Sequence, residues 1–423
     1  MEAGMATGYL EILRARHALR LLAGTLVGRL PNATAAIALV LFVRAEGGTY
    51  SLAGALAAVY GVANAVGQPV LGRLVDLYGQ PRVQLPAAVV AALAMTVFAF
   101  RGTDPLPLAY AAVAVSGLFA PPLEGGLRAL WPSVLRREEQ VHTAYAMDAI
   151  AQEVMFTVGP LLVTVCVSVW DERAALLVLN LLGVLGALSV VVSPPSRAWR
   201  SAPREAHWLG ALRSPGLLAL LAAFLFVGIA LGSITVAAVS YADGHGGDAV
   251  YGWLMAGLGL GALAGGTVYG ARQWAGSPER RLRGLVALLA VCYLPLTLTP
   301  GTVWMVLLSV VSGVFLAPCI ACAFIIVDRH APRGTVTEAF SWLVTTFTVG
   351  ASVGTGLAGP VVQAGGTVWG FGLPSVAGAV SLLVLLATGG VLAAPARGDV
   401  VAASSENDPN RALEPRFSSG DRA

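Results

Sequence analysis

Gly72-Arg73-Leu74-Val75-Asp76-Leu77-Tyr78-Gly79-Gln80-Pro81-Arg82 is a charged, glycine-bearing stretch set between two long apolar runs, 51–71 and 84–100. A helix that crosses a bilayer needs about 20 apolar residues. Both runs approach that length, so the stretch reads as a short cytoplasmic turn between two membrane helices.

Composition extends the reading to the whole chain. Of 423 residues, 57% are hydrophobic and only 12% are charged, roughly half the charged fraction of a soluble domain. Most of the chain therefore cannot face water. The apolar runs lack β-alternation, so helices rather than a barrel are expected. Twelve spans can be drawn in two blocks of six: 19–43, 51–71, 84–100, 106–131, 142–168 and 174–192, then 215–238, 250–270, 284–300, 302–327, 338–363 and 371–393. Residues 1–18 read as an amphipathic cytoplasmic lead-in. Residues 19–192 and 215–393 read as two six-helix bundles, 193–214 as a Pro- and Arg-rich cytoplasmic linker, and 394–423 as a disordered cytoplasmic tail.

All 26 basic residues are arginine. Without lysine there is no phosphate loop of the GxxxxGK[ST] type, so ATP hydrolysis by that device is excluded. The Ala-, Gly- and Arg-heavy usage points to a GC-rich bacterial genome. Arginines gather in alternate loops, among them Arg73, Arg82, Arg137, Arg213, Arg272 and Arg329, while the intervening loops carry Arg44, Arg101 and Arg173 beside several acids. By the positive-inside rule the first set is cytoplasmic. Both termini are then cytoplasmic in a bacterial inner membrane. The net charge of +3 gives no reason to expect nucleic acid as a partner.

The two blocks repeat one another. Val115-Ser116-Gly117-Leu118-Phe119, followed by Pro121, matches Val311-Ser312-Gly313-Val314-Phe315, followed by Pro318. Ala144-Tyr145 and Gly159 match Ala339-Phe340 and Gly354, and Tyr60-Gly61 matches Tyr251-Gly252. The offsets of 196, 195 and 191 are nearly constant. Internal duplication is the architecture of secondary transporters, with the substrate site near midplane between the repeats.

Twelve spans, a basic central linker, duplicated halves and the opening stretch together resemble the major facilitator superfamily over residues 10 to 393. The loop signature of that family reads G-x-L-A-D-R-x-G-R-[KR]; this chain supplies Gly72, Leu74, Asp76 and Gly79, with Arg82 slightly downstream, and places Leu77 and Gln80-Pro81 where basic residues are usual. The resemblance implies the twelve-helix fold and alternating access. It also implies that Asp76 latches the cytoplasmic ends of the two halves in one state, the bland reading being an ordinary turn. The matching loop of the second half, 266–283, has no acid at the place of Asp76. Antiporters of the family often carry a G-x-x-x-G-P-x-x-G-G run on span five, of which Gly159-Pro160 remains here, and the usual mid-helix arginine of span four is missing unless Arg128 stands in for it.

Ionisable groups inside spans are the functional leads, because each costs a few kcal/mol unless paired or wet. Arg29 on span one and Glu153 on span five fall at mid-depth. Glu153 is a candidate proton or cation carrier, with Arg29 its counter-charge or an anion anchor; a static buried ion pair explains them as well. Asp148, nearer the cytoplasm, is a candidate relay or a contact of the basic loop. Glu124 and Arg128 are spaced i,i+4 and read as an intrahelical pair. Glu338 opens span eleven and suits a helix N-terminus. Tyr60, Asn64 and Gln68 recur every four residues on span two, with Asn32, Gln152 and Trp342 as further candidates for a cavity wall. Interhelical hydrogen bonding accounts for such residues too.

No metal cluster, catalytic constellation or cofactor is expected, and the energy source is a proton or ion gradient. Cys319-Ile-Ala-Cys322 lacks a second soft-ligand pair and reads as packing. The expected partners are a small-molecule substrate and the lipid bilayer, with the chain a monomer. Export of a small, largely apolar or amphiphilic molecule is the leading reading, because few buried polar groups are available to grip a sugar. Import of a sugar, amino acid or organic anion, and a non-transporting membrane sensor or scaffold, stay as alternatives; an enzyme is not expected.

Overall fold

A computed structural model describes residues 9, 11–135, 137–203, 207–274 and 276–393. The tail expected over 394–423 and the first eight residues of the lead-in lie outside them. The described residues are helical, with short connections and no strand. The helices are α1 Ala18–Ala45, α2 Tyr50–Tyr78, α3 Gln80–Arg101, α4 Leu106–Leu118, α5 Leu123–Val134, α6 Glu138–Val169, α7 Glu172–Val191, α8 Pro194–Ala198, α9 Pro215–Asp243, α10 Asp248–Ala271, α11 Pro278–Tyr293, α12 Thr302–Gly313, α13 Leu316–His330, α14 Val336–Ala387 and α15 Gly389–Ala393.

Among the described residues, eleven helical stretches are long and apolar enough to cross a membrane. The last, α14, has 52 residues, and straight it would run about 78 Å, far beyond a bilayer core of about 30 Å. Gly366 resolves this: at φ 78° and ψ −177° it breaks α14 into two spans, which makes twelve. The chain is an all-α, multi-pass membrane protein.

The opening stretch differs from its reading as a loop. α2 continues through Asp76 to Tyr78 and α3 begins at Gln80, so only Gly79 turns the chain. Its φ of 87° lies where an L side chain is strained, and Pro81 sits in the first turn of α3, where a missing N–H costs nothing. Leu71, Val75, Val83 and Ala87 hold this corner together as a small buried cluster.

Spans four and ten each appear as two helices, α4–α5 and α12–α13, broken within or just after the duplicated Ser-Gly motif. The motif glycines explain the packing beside each break. A Cβ at Gly117 would fall on the Tyr60 carbonyl of α2, and one at Gly313 on the Leu258 carbonyl of α10. The corresponding pair of helices is thus packed the same way in each repeat, with Leu258 seven residues beyond the Tyr251 that the sequence offset sets against Tyr60. The run Gly257–Gly265 serves likewise, with Gly261 and Gly265 against the carbonyls of Val310 and Val314.

The segment read as a linker runs across the Asp76 end of the first half. Arg73 Nη1 donates to the Trp208 carbonyl at 2.7 Å, and Ser196 donates from Oγ to Gln80 Oε1 at 2.8 Å. The lead-in is anchored as well: the Tyr9 hydroxyl donates to the Thr267 carbonyl at 3.0 Å, Glu11 pairs with Arg137, and Ile12 is buried.

Candidate functional site

The halves meet at the Asp76 end. Asp76 is 7% exposed and its two carboxylate oxygens accept from the backbone N–H groups of Thr337 at 3.1 Å and Glu338 at 2.9 Å. These amides belong to the first turn of α14, which has no intrahelical acceptor for them, and the positive end of the helix dipole adds to the attraction. Gly72, one turn earlier, lets α2 approach the same turn: a Cβ there would crowd Glu338 Cα at 3.1 Å. Arg82 is exposed at the start of α3.

The second repeat makes a weaker counterpart without an acid. At the end of α10 the Gly270 carbonyl accepts from Thr143 Oγ1 at 3.0 Å, near the start of α6, and Gln273 Nε2 donates to Glu139 at 2.7 Å. Thr143 and Glu338 stand 195 residues apart, the offset of the Ala-Tyr and Ala-Phe motifs. At the related corner the backbone carbonyl of Gly270 takes a neutral hydrogen bond, and the one carboxylate in these bonds, Glu139, belongs to the first half.

A buried group of four charges lies deeper in the first half. Arg29 Nη2 is 2.6 Å from Glu124 Oε1 and Arg29 Nη1 is 3.3 Å from Asp148 Oδ1. Arg128 Nε donates to Asp148 Oδ2 at 2.6 Å, and Arg128 Nη2 lies 3.3 Å from Glu124 Oε2. Each carboxylate bridges both guanidiniums through separate oxygens. The side chains of Arg128 and Asp148 are fully buried, Arg29 is 7% exposed and Glu124 16%. The group is neutral overall, which is how four charges persist in a low-dielectric interior. Gln152 joins it, its Oε1 accepting from Arg128 Nη2 at 3.4 Å.

Helix geometry dictates this membership. Asp148 and Gln152 are one turn apart on α6 and share a face, whereas Glu153 is turned about 140° from Asp148. The expected partnership of Arg29 with Glu153 is accordingly replaced by Arg29 with Glu124 and Asp148. The expected pair of Glu124 with Arg128 is present, but as one edge of a larger square.

Glu124 and Arg29 border a cavity of about 30 Å³, room for one or two waters, lined also by Asn32, Tyr60, Gln68, Ser116 and Asn180. Tyr60 donates to Asn32 Oδ1 at 3.3 Å. Gln68 Nε2 donates to Asn64 Oδ1 at 3.2 Å and to the Ala120 carbonyl at 3.0 Å, inside the α4–α5 break. Three of the expected wall residues, Asn32, Tyr60 and Gln68, thus come together at one cavity, with Asn64 bonded beside it. Gln152 belongs to the charge cluster instead, and Trp342 packs against the large apolar core that both halves share.

Sequence reasoning missed the partners of Arg128 across the interface. Its guanidinium carbon lies 3.7 Å from the ring centroid of Phe324 on α13 and 5.8 Å from that of Phe340 on α14. Desolvated contacts of this kind are worth about 2 kcal/mol. Tyr145 completes the aromatic group, 6.1 Å from Phe324 and 5.9 Å from Phe340. The repeat contains the signal: the offset of 196 relates Arg128 to Phe324 and Glu124 to Ile320, and that of 195 relates Tyr145 to Phe340 and Asp148 to Leu343. Where the first half buries charge, the second buries hydrocarbon, and Ile320, Phe324 and Leu343 are all nearly inaccessible.

Toward the opposite end, Gly61 on α2 and its repeat mate Gly252 on α10 face open space, and the neighbouring Val62 and Trp253 are 67% and 64% exposed. The last hydrogen bond between the halves in that direction, among the described residues, runs from Thr345 Oγ1 to the Ala65 carbonyl at 3.3 Å. No group of three or more metal-ligating side chains occurs among the described residues.

Residues 21–355 match the family model of the Major Facilitator Superfamily. Among solved structures, the human organic anion transporter MFSD10 (TETRAN) superposes with a TM-score of 0.64 at 16% identity, covering 86% of this chain and 99% of that one. A bacterial homologue of the iron transporter ferroportin in an outward-facing state gives 0.65 at 14% identity, covering 87% and 98%. A variant of the E. coli fucose:proton symporter FucP gives 0.65 at 14%, covering 87% and 97%. No curated protein sequence matches significantly.

Proposed function

The protein belongs to the major facilitator superfamily, and from that premise we propose that it is a proton-coupled secondary transporter that exports a small, apolar or amphiphilic molecule by alternating access. The observation that carries this reading is Glu124, whose two oxygens are held by two different arginines at the rim of a polar cavity. A proton on Glu124 cancels the charge that balances Arg29 and Arg128. The cluster then carries one uncompensated positive charge in a buried setting, a state that favours rearrangement of α1 against α5 and α6. Proton uptake and conformation are linked in this way without any cofactor.

Arginine-rich loops at the Asp76 end support placing that end, and both termini, in the cytoplasm of a bacterial inner membrane. The state described is then closed to the cytoplasm through Asp76 and α14. One of the similar structures is described as outward-facing, and another protein of this fold is a fucose:proton symporter. The 57% hydrophobic composition supports an apolar or amphiphilic cargo over a sugar, with Asn32, Tyr60, Gln68, Ser116 and Asn180 at the cavity suited to a polar group on it. The test is a reconstituted vesicle with an internal pH dye, challenged with a panel of lipophilic cations and neutral amphiphiles: a substrate-dependent pH change supports the reading, and flux with no pH change removes the coupling.

One observation favours a second reading. Arg29 lines the cavity, a feature suited to an organic anion, and MFSD10 is described as an organic anion transporter. Including carboxylates in the same panel separates the two.

A further inference from the structure

The charge cluster has a cavity on each side. On one, Glu124 and Arg29 border the pocket of Asn32, Tyr60 and Gln68. On the other, a cavity of about 250 Å³ opens at the Asp76 end between the halves. Its first-half lining includes Arg137, Glu138, His142 and Tyr145, and its second-half lining Asp328 and Arg329. Tyr145 lies one turn from Asp148 on α6, so the buried carboxylate is close to this second cavity but does not line it.

What separates them is aromatic. Arg128 spends the edge of its guanidinium on carboxylates and Gln152: Nε on Asp148, Nη2 on Glu124 and Gln152. Its face is covered by Phe324 at 3.7 Å, with Phe340 behind. Nη1 is buried and has no hydrogen-bond partner among the described residues. Tyr145 packs edge-on against Phe324 and tilted against Phe340, and the two phenylalanines pack edge-on against each other. Both phenylalanines belong to the second half, whereas Arg128, Asp148 and Tyr145 belong to the first. A movement that parts the halves at this end must pull the rings from the guanidinium.

We propose that Phe324 and Phe340 form a conformational seal over Arg128, closing Asp148 to protons from the Asp76 end and lifting away with the second half when that end opens. Sealed, the cluster exchanges protons only through Glu124 and the first cavity. Unsealed, water from the side of His142, Glu138, Asp328, Arg137 and Arg329 reaches Asp148, and a proton can leave or enter there. The seal makes access alternate together with the halves, so a proton does not cross without a conformational cycle. Its bearing on coupling rests on the proton-carrier reading above; the seal itself does not.

The test is passive proton leak. Purified protein in vesicles, with no substrate added, is given an imposed pH difference, and its collapse is followed by a trapped dye. Wild type is tight. Phe324→Ala leaks faster by about tenfold or more, the factor that loss of a desolvated cation–π contact gives in the population of the uncovered form. Phe324→Leu, which keeps apolar bulk but has no ring face, leaks at an intermediate rate and guards against a misfolded alanine variant. Adding Asp148→Asn to Phe324→Leu returns the leak to the wild-type level. Monodisperse Phe324→Ala or Phe324→Leu with a wild-type leak, or a leak that survives Asp148→Asn, overturns the seal. Wild-type vesicles that transport without proton movement instead overturn the coupling reading, and the leak comparison still judges the seal.

Discussion

Arg128 and Phe324 occupy equivalent positions in the two repeats and touch each other across the interface, guanidinium carbon to ring centroid, at 3.7 Å. The duplication has diverged at this point into complementary chemistry: a cation on one side, a ring on the other. That contact ties α5 of the first half to α13 of the second, so under the proposed seal the cluster responds to whether the halves are joined.

Replacing Arg128 with Gln leaves Asp148 buried with Arg29 as its remaining ion partner. Breaking one side of a buried charge network costs about 3–5 kcal/mol. The variant is expected to unfold at markedly lower temperature in detergent, measured by intrinsic tryptophan fluorescence. A pair change, Arg128→Gln with Asp148→Asn, recovers part of the loss because no unpaired charge is then left.

Asp76→Ala removes two charge-assisted hydrogen bonds to the first turn of α14. At about 1.5–3 kcal/mol for hydrogen bonds to a charged group, the balance of states shifts away from closure at this end. Spin labels on α2 and α14 are expected to show a longer-distance population in Asp76→Ala. Asp76→Asn, which keeps one oxygen acceptor, gives a smaller shift.

Gly265→Ala and Gly252→Ala make a paired test of the packing. A Cβ at Gly265 collides with the Val314 carbonyl, while one at Gly252 meets nothing within 4 Å. The first is expected to lose about 1–3 kcal/mol by overpacking, and the second to stay within a few tenths of wild type or gain slightly from better helix propensity. Thermal stability of the two purified proteins decides it.

Tyr9 ties the lead-in to α10 through a hydroxyl that donates to the Thr267 carbonyl. Burial pushes its pKa up to about 12, so it stays a donor at physiological pH. With the folded value raised, its contribution is full below the ordinary value near 10 and is lost as pH rises toward 12. Tyr9→Phe is expected to lose about 1 kcal/mol of anchoring, seen as faster proteolysis of the first residues with the membrane core intact.

The class, the spans and the duplication were legible in the sequence because the bilayer imposes length and apolarity on each helix, and because repeated Ser-Gly and Ala-aromatic motifs keep their spacing. The turn at Gly72–Arg82 was over-read: charge and glycine suggested a loop, yet a helix carries Arg73 and Asp76 without penalty, and Gly79 alone supplies the turn. Mid-depth position drew attention to Arg29 and Glu153 together, but depth says nothing of azimuth, and azimuth separates Asp148 from Glu153. The i,i+4 spacing of Glu124 and Arg128 showed the local pair and hid the two partners that arrive from other helices. Phe324 and Phe340 look like ordinary core residues until the repeat offset is laid over Arg128 and Tyr145.

The claim that a titratable carboxylate in this cluster couples protons to transport is tested most directly by Glu124→Gln in vesicles carrying an internal pH dye. The measurement compares substrate counterflow, which needs only alternating access, with substrate-driven proton movement. The account predicts that Glu124→Gln retains counterflow and loses proton movement. Proton movement at the wild-type rate in a Glu124→Gln protein that still catalyses counterflow would contradict it.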